Sequence, residues 1–121
     1  VMDDEAMVRD VVGEIIRSLG YEVATARDGG EAIELYRRSM QEGRPFDILI
    51  MDLTVQGGMG GRDAIRELIS LDPNVRAIVS SGYHNDPIMA NYREYGFQDV
   101  IAKPYDAASL SKALARILGR S

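Results

Sequence analysis

The sequence contains no cysteine, so a disulfide framework, a thiolate metal site and a cysteine nucleophile are all excluded. It also lacks any run of basic residues. With 19 acidic and 14 basic side chains the net charge is −5, and this balance argues against nucleic-acid binding. The apolar runs are only a few residues long, which excludes a membrane-spanning helix, and no signal peptide is visible.

What remains is the composition of an ordinary globular protein. The chain has 121 residues, of which 45% are apolar and 27% are charged. We therefore expect one domain over residues 1–121, with a single sizeable core. The abrupt opening VMDDE is typical of the interior of a longer chain.

Helical and strand patterns alternate along the chain. Apolar residues recur at helical spacing from Val8 to Leu19, and Gly20 follows where a left-handed C-terminal cap is expected. The segments with helical periodicity are residues 1–20, 28–40, 60–71, 85–96 and 106–119. The strand-like segments are residues 21–26, 46–51, 75–80 and 99–102. Asp86 and Asp106 are the predicted N-caps of the last two helices.

This alternation predicts an α/β fold, with a parallel sheet, helices on both of its faces and right-handed crossovers. The nearly continuous apolar run over residues 46–51 is typical of a parallel strand that is covered on both faces. Val1 and Met2 are predicted to be the end of a first strand whose beginning is absent. The first strand of a doubly wound sheet is usually central, so a chain that truly lacked it would be badly destabilised.

Polar side chains follow the strands at the edge where ligands bind to open α/β sheets. Asp3 and Asp4 follow the first-strand stub, and Asp52 follows the apolar run. Ser81 and Lys103 follow the next two strands. We expect three acids, a hydroxyl and a lysine to converge at this edge.

The chemistry of this set indicates phosphoryl transfer. Clustered carboxylates repel one another unless a cation joins them, and an acidic site rich in oxygen suits Mg²⁺. A lysine supplies a positive charge for a phosphoryl oxygen, and a serine hydroxyl can donate a hydrogen bond to it. An aspartate can then act as the covalent acceptor.

Each of these residues also has a purely structural interpretation. Asp3 or Asp4 fits an N-cap of the first helix, Ser81 fits a turn, and Lys103 fits a solvated side chain before a proline. The single histidine, His84, is interpreted as a solvated loop residue. Only the joint occurrence of the set at strand ends favours a site.

Four motifs, DDE at the start, ILIMDL in the middle, IVSSGY and IAKPY, occur in the order and spacing of a known family. With them the sequence resembles the receiver domain of two-component response regulators and hybrid sensor kinases, over essentially its whole length. The resemblance implies a flavodoxin-like, doubly wound fold. Its five parallel strands would have the order 2-1-3-4-5, with five helices and, in this chain, a truncated first strand.

The resemblance also implies the roles of individual residues. It makes Asp52 the phosphoacceptor. It assigns Mg²⁺ binding to Asp3, Asp4, Asp52 and the backbone carbonyl of Thr54. Within that set Asp4 would be the nearer ligand, and Asp3 would act largely through water. Ser81 would contact the phosphoryl group and move on activation, and Lys103 would pair with a phosphoryl oxygen.

The implied function is a phosphoacceptor switch of a bacterial two-component phosphorelay, in the cytoplasm, and not an enzyme with turnover beyond its own slow dephosphorylation. Its partner would be a histidine kinase or a histidine phosphotransfer domain, and an effector or kinase module of the same full-length chain is a further candidate. The resemblance implies a change in the loops and in the face formed by the fourth and fifth helices.

Three other functions stay open at this point. A phosphohydrolase of the haloacid dehalogenase type would need a second acid two residues after the nucleophile, where this chain has Thr54. A nucleotide or flavin binder would need a phosphate-cradling loop after the first strand, where DDEAM is acidic and lacks glycine. A docking module of the same fold that is never phosphorylated would not need the complete set of acids and lysine.

The chain departs from the family pattern at two places. Val100 stands where the family usually has an aromatic residue, three positions before the lysine. The loop after Asp52 reads TVQGGMGG, so Gln56 replaces a proline, and four glycines follow within five residues. We expect this loop to be more flexible than usual. Its glycine-rich form most resembles receivers of hybrid sensor kinases.

Overall fold

The computed structural model describes residues 1–82, 87–103 and 106–119, except for the side chain of Met89. These ranges contain three strands and six helices. In chain order they are α1 (Ala6–Ser18), α2 (Gly29–Gln41), β1 (Leu49–Asp52), α3 (Gly61–Leu71), β2 (Ala77–Ser81), α4 (Pro87–Ala90), α5 (Tyr92–Tyr95), β3 (Asp99–Ala102) and α6 (Ala107–Leu118). None of the helices in the described ranges has the length and hydropathy needed to cross a membrane.

The three strands form a parallel sheet in the order β1-β2-β3, and the stub Val1–Met2 lies beside β1. Met2 makes parallel bridges to both Met51 and Ala26. Its N–H donates to the carbonyl of Ile50 at 2.8 Å, and the N–H of Ala26 donates to the carbonyl of Val1 at 2.8 Å. The order across the sheet is therefore Ala26, Met2, β1, β2, β3, which corresponds to the predicted order 2-1-3-4-5.

The strand predicted over residues 21–26 was wrong in its extent, because only Ala26 makes a bridge. Strand structure requires a neighbour with which to share backbone hydrogen bonds. The neighbour here is the two-residue stub, so most of the segment has no ladder to join. A cavity of about 720 Å³ adjoins this stub, and its lining includes Val1, Met2, Tyr21 and Val23.

The single helix predicted over residues 85–96 is also wrong in detail. The described part of this segment contains two short helices, α4 and α5, separated at Asn91, whose φ of −114° and ψ of 31° are not helical. Asparagine side chains compete for nearby backbone groups, so they are poor residues for a helix interior. The predicted N-cap Asp86 lies outside the described residues.

Side chains alternate along the strands between two cores, one on each face of the sheet. On β2, Ala77 and Val79 belong to the core beneath α2 and α3, whereas Ile78 belongs to the core beneath α1 and α6. All five residues of β2 are buried. Two buried faces on a parallel sheet are the arrangement of a doubly wound fold, as the apolar runs predicted.

Two of the predicted helix ends are confirmed. Gly20 follows α1 with a φ of 95°, in the left-handed region that favours glycine. The carboxylate of Asp106 accepts a hydrogen bond from the N–H of Ser109 at 2.8 Å, so Asp106 caps α6. The sequence therefore predicted correctly where α1 ends and where α6 begins.

Candidate functional site

Lys103 joins two acids from distant parts of the chain. Its Nζ lies 2.6 Å from Oδ2 of Asp3 and 3.4 Å from Oδ1 of Asp52. Lys103 directly follows β3, Asp52 is the last residue of β1, and Asp3 directly follows the stub. Parallel strands bring their carboxyl ends to the same edge, so residues 100 positions apart meet here.

Asp3 is the most firmly held residue of the site and is only 1% exposed. Its Oδ1 accepts a hydrogen bond from the N–H of Glu5 at 2.9 Å. Its own N–H donates to the carbonyl of Ala26 at 3.0 Å, and its carbonyl accepts a hydrogen bond from Arg9 at 2.7 Å. Neither Asp3 nor Asp4 is the N-cap of α1, which is Glu5, although Asp3 binds the backbone of that N-cap.

Asp52 is 6% exposed and projects from the end of a fully buried strand. Its backbone N–H donates to the carbonyl of Met2 at 2.9 Å. The pKa of the Asp52 carboxyl is raised to about 7, chiefly by burial; the nearby Lys103 opposes this rise, whereas the charge of Asp3 and a hydrogen bond with Asp4 contribute to it. A carboxylate in such surroundings is stabilised by any additional cation.

The ammonium of Lys103 stays charged in this setting. Partial burial lowers its pKa, but the hydrogen bond to Asp3 and the charges of Asp52 and Asp3 outweigh that effect, so its pKa is raised overall. Its side chain is 20% exposed. The site therefore keeps one fixed positive charge between two carboxylates.

A second group of carboxylates lies at the same edge. One oxygen each from Asp3, Asp4 and Glu5 can be chosen so that all three lie within 4.8 Å of one another. Asp4 and Glu5 are exposed, and Oδ2 of Asp4 accepts a long hydrogen bond of 3.4 Å from the N–H of Gln56. This donor set consists only of oxygen, which fits a hard divalent cation such as Mg²⁺.

Ser81 lies next to Lys103 at the end of β2 and is 2% exposed. Its carbonyl accepts a hydrogen bond from the backbone N–H of Lys103 at 3.0 Å. The preceding residue, Ser80, is in register with Asp52 on one side and with Ile101 on the other. Ser81 thus lies one residue nearer the rim than the strand partner of Asp52.

The loop from Leu53 to Gly60 packs closely on the end of β1. A Cβ on Gly60 would lie 2.4 Å from the carbonyl oxygen of Leu53, and a Cβ on Gly61 would lie 2.8 Å from that of Asp52. At Gly57 a glycine is favoured by the backbone conformation, because its φ of 73° lies in the left-handed region. The glycines therefore serve close packing and one left-handed turn, rather than flexibility alone.

The other residues that the sequence analysis singled out lie in different surroundings. Thr54 is exposed and lies two residues after Asp52, the position at which a phosphohydrolase would need a second acid. The role of its carbonyl in metal binding stays a prediction. Val100 is half-buried and pairs with Val79 in the sheet. His84 and the residue after Lys103, Pro104, lie outside the described residues.

Comparison with known proteins identifies the family. The sequence profile of the Response regulator receiver domain matches residues 1–115. The chain belongs to this receiver domain family. It is 36% identical over 118 residues to the chemotaxis protein CheY of Thermotoga maritima, covering 97% of this chain and 93% of the relative.

Two further similarities agree with this assignment. The sporulation initiation phosphotransferase F of Bacillus subtilis is 25% identical over 118 residues, covering 98% of this chain and 90% of the relative. The crystal structure of the receiver domain of NtrX from Brucella abortus is similar with a TM-score of 0.86 and 27% identity, over 99% of this chain and 97% of that one. The flavodoxin-like fold class is thereby confirmed for this receiver domain.

Two residues at the receiver site were not predicted. Glu5 joins the carboxylate group with Asp3 and Asp4, and its place directly after them in DDE was a usable signal. Arg9 reaches Asp3 from the next turn of the chain. No sequence signal indicates that contact, because it depends on where the start of α1 lies against the site.

Proposed function

We propose that this receiver domain is a switch in which the carboxylate of Asp52 takes up a phosphoryl group from a phosphohistidine. The main support is the position of Lys103, whose Nζ lies 2.6 Å from Asp3 and 3.4 Å from Asp52. A fixed cation beside a buried carboxylate is the arrangement that neutralises charge developing on a transferring phosphoryl group.

In the proposed step a carboxylate oxygen of Asp52 forms a bond to phosphorus while the bond from phosphorus to the imidazole nitrogen breaks. The electron pair of the broken bond stays on the imidazole, which then takes a proton from solvent. Lys103 stabilises the phosphoryl oxygens by charge, and the Ser81 hydroxyl donates a hydrogen bond to one of them. Water later attacks the phosphorus atom of the acyl phosphate, which breaks its bond to Asp52, releases inorganic phosphate and returns the carboxylate.

Mg²⁺ bound by Asp3, Asp4, Asp52 and the carbonyl of Thr54 would neutralise phosphoryl charge during transfer. The carboxylates of Asp3 and Asp4 supply the hard oxygen ligands that this ion prefers. Glu5, which lies within reach of the same group, is a further candidate ligand.

The partner in this proposal is a histidine kinase or a histidine phosphotransfer domain. The relative from Bacillus subtilis is named a phosphotransferase, which supports phosphoryl transfer as the chemistry of this fold. Attachment to a hybrid sensor kinase, which the glycine-rich loop suggested, also stays a proposal. Phosphorylation adds about two negative charges at the rim, and we expect Ser81 and the surface of α4, α5 and α6 to respond.

Mass spectrometry of the intact chain tests the acceptor role. Incubation with Mg²⁺ and acetyl phosphate should add one phosphoryl mass to the wild type and none to Asp52→Asn. The matched control is Asp63→Asn, which removes an exposed acid from α3 and should be labelled normally. Unchanged labelling of Asp52→Asn would refute the assignment.

The same assay separates the switch from two of the other functions, the phosphohydrolase and the docking module. A phosphohydrolase would release phosphate from phosphate monoesters over many turnovers, and we expect none, because Thr54 cannot act as a general acid or base. A docking module would show no labelling in the wild type at any donor concentration. Stoichiometric labelling followed by slow loss is the outcome that the proposed switch requires.

A further inference from the structure

The side chain of Arg9 binds the segment that carries the acidic residues. Arg9 lies four residues beyond Glu5, the N-cap of α1. Its Nη1 donates to the carbonyl of Asp3 at 2.7 Å, in a partly buried contact. The guanidinium therefore reaches back six residues, from the helix to the residue that binds Lys103.

Stabilisation of α1 does not account for this arginine. The amino end of a helix carries partial positive charge, so a cation there is unfavourable, whereas one in the last turn is favourable. In α1 the favourable position is taken by Arg17. The contact that Arg9 makes is with a carbonyl outside the helix, at the functional site.

The contact with Arg9 completes the set of bonds that hold Asp3. The N–H of Asp3 donates to Ala26, its Oδ1 accepts from Glu5, and its Oδ2 accepts from Lys103. The carbonyl is the fourth polar atom, and Arg9 is its partner. With all four atoms bound, the peptide leading to Asp4 has little freedom to turn.

We propose that Arg9 is a positioning residue of the site, which fixes the Asp3–Asp4 segment so that Asp3 stays on Lys103 and the acids keep the spacing that a divalent cation requires. The part of this inference that concerns the cation rests on the proposed function. The part that concerns the pairing of Asp3 with Lys103 does not.

The direction of the effect on Mg²⁺ binding distinguishes positioning from charge. Removing a positive side chain beside three carboxylates would strengthen the binding of a divalent cation if charge alone acted. Loss of a residue that holds ligands in place weakens metal binding, commonly by tenfold or more. The two explanations of Arg9 therefore predict opposite changes in affinity.

Isothermal titration calorimetry of Mg²⁺ binding tests this. Arg9→Ala should weaken Mg²⁺ binding about tenfold, and Arg9→Lys, which keeps a charge and a donor, should recover part of the loss. Arg17→Ala removes an exposed arginine from the same helix and should bind Mg²⁺ like the wild type. Unchanged or tighter binding by Arg9→Ala would overturn the positioning role.

A double-mutant cycle in the absence of metal tests the same role independently of the proposed function. The melting temperatures of the wild type, Arg9→Ala, Lys103→Ala and the double variant are measured in a chelator. The decreases in melting temperature of Arg9→Ala and Lys103→Ala should sum to more than the decrease in the double variant. The reason is that the placement of Asp3 matters less once its partner Lys103 has been removed. The control pair, Arg17→Ala with Lys103→Ala, should be additive.

The Mg²⁺ titration and the metal-free cycle can contradict the proposals independently of each other. If the wild type binds no Mg²⁺, the proposed function falls, and the metal-free cycle alone decides the role of Arg9. Additive losses for Arg9 and Lys103 would overturn the inference whatever the titration shows. If Arg9→Ala does not fold, Arg9→Gln, which keeps a neutral donor, replaces it in both measurements.

Discussion

One ammonium group holds two carboxylates together at this receiver site. Lys103 Nζ contacts Oδ2 of Asp3 and Oδ1 of Asp52, and both acids are buried. Breaking a buried ion pair leaves its remaining charges without a partner, which costs more than the pair contributes when it is intact. The stability of the site therefore depends on this lysine before any phosphoryl chemistry takes place.

Lys103→Ala should lower the free energy of unfolding by about 1–3 kcal/mol in metal-free buffer, because it leaves Asp3 and Asp52 facing each other without a cation. Added Mg²⁺ should recover part of this loss. The control is Lys112→Ala on α6, which removes the other lysine of the chain at an exposed position. Urea unfolding with and without Mg²⁺ measures both effects, and an equal loss in both lysine variants would contradict the account.

A second prediction at the residue scale concerns the hydrogen bond from Tyr36 to Asp72. The hydroxyl of buried Tyr36 donates to Oδ2 of Asp72 at 2.7 Å, and this bond, with one from the N–H of Asn74, lowers the pKa of the Asp72 carboxyl. A lowered pKa in the folded state means stability that is present above the unfolded value of about 3.9 and lost as pH falls through the folded value.

Tyr36→Phe should therefore destabilise the domain at neutral pH, and the difference from the wild type should shrink as pH falls below about 4. In an Asp72→Asn background the effect of Tyr36→Phe should no longer depend on pH in this range. Thermal melts between pH 3 and pH 7 would check this. A difference that stayed constant, or grew towards acid, would rule out the carboxylate as the acceptor that matters.

At the scale of elements, the loop after Asp52 shows a role of glycine that composition alone does not indicate. The greater flexibility expected from its glycines stays a prediction. In addition, Gly60 and Gly61 lie where a Cβ would meet the backbone of Leu53 and Asp52. The N–H of Gly29 at the start of α2 also donates to the carbonyl of Met59 at 2.6 Å. The sequence showed where the glycines were, but the close approach that needs them is visible only in three dimensions.

Gly60→Ala should destabilise the domain by about 1–3 kcal/mol, because its Cβ would lie 2.4 Å from the carbonyl oxygen of Leu53. Gly13→Ala in α1 is the matched control, since its Cβ would meet only ordinary contacts of 3.5 Å and longer. Alanine is the better helix former, so this control should be neutral or stabilising by up to about 1 kcal/mol. Similar losses at both sites in urea unfolding would contradict the packing explanation.

The strands and helices differ in how well the sequence predicted them. The strands β1 and β2 were predicted because their apolar runs are buried on both faces of the sheet. The strand β3 is less buried, but it pairs with β2 along its whole length. The segment 21–26 has strand-like alternation but only a two-residue neighbour, so it makes one bridge. The break at Asn91 was not predicted, because helical periodicity continues through it. Local pattern predicts an element only where the surroundings supply its partner.

At the scale of the whole molecule, a doubly wound sheet concentrates negative charge at one edge. The approach of Asp3, Asp4 and Asp52 was predictable, since each follows a parallel strand and such strands end together. The contact of Arg9 with Asp3 was not, because the reach of a side chain from a helix back to a loop depends on tertiary placement. The fold therefore brings the acids to one edge of the sheet, and tertiary contacts such as that of Arg9 with Asp3 hold them there.

This concentration of charge should make the domain more stable when Asp52 is neutral. Without metal, Asp52→Asn should raise the melting temperature by a few degrees, because it removes a buried charge from an acidic site. Mg²⁺ should stabilise the wild type by mass action and the variant much less. Asp63→Asn, which changes an exposed acid on α3, should behave like the wild type. A variant less stable than the wild type in chelator would contradict this electrostatic account.

The central claim is that the phosphoryl group bonds to the carboxylate of Asp52, and chemical trapping of the acyl phosphate tests it most directly. The domain is phosphorylated by a phosphohistidine donor with Mg²⁺ and reduced with borohydride, which converts an aspartyl phosphate to homoserine. Peptide mass spectrometry then locates the change. The account predicts homoserine at position 52 and at no other aspartate. Homoserine at another position, or a phosphorylated protein with an unchanged Asp52, would contradict it.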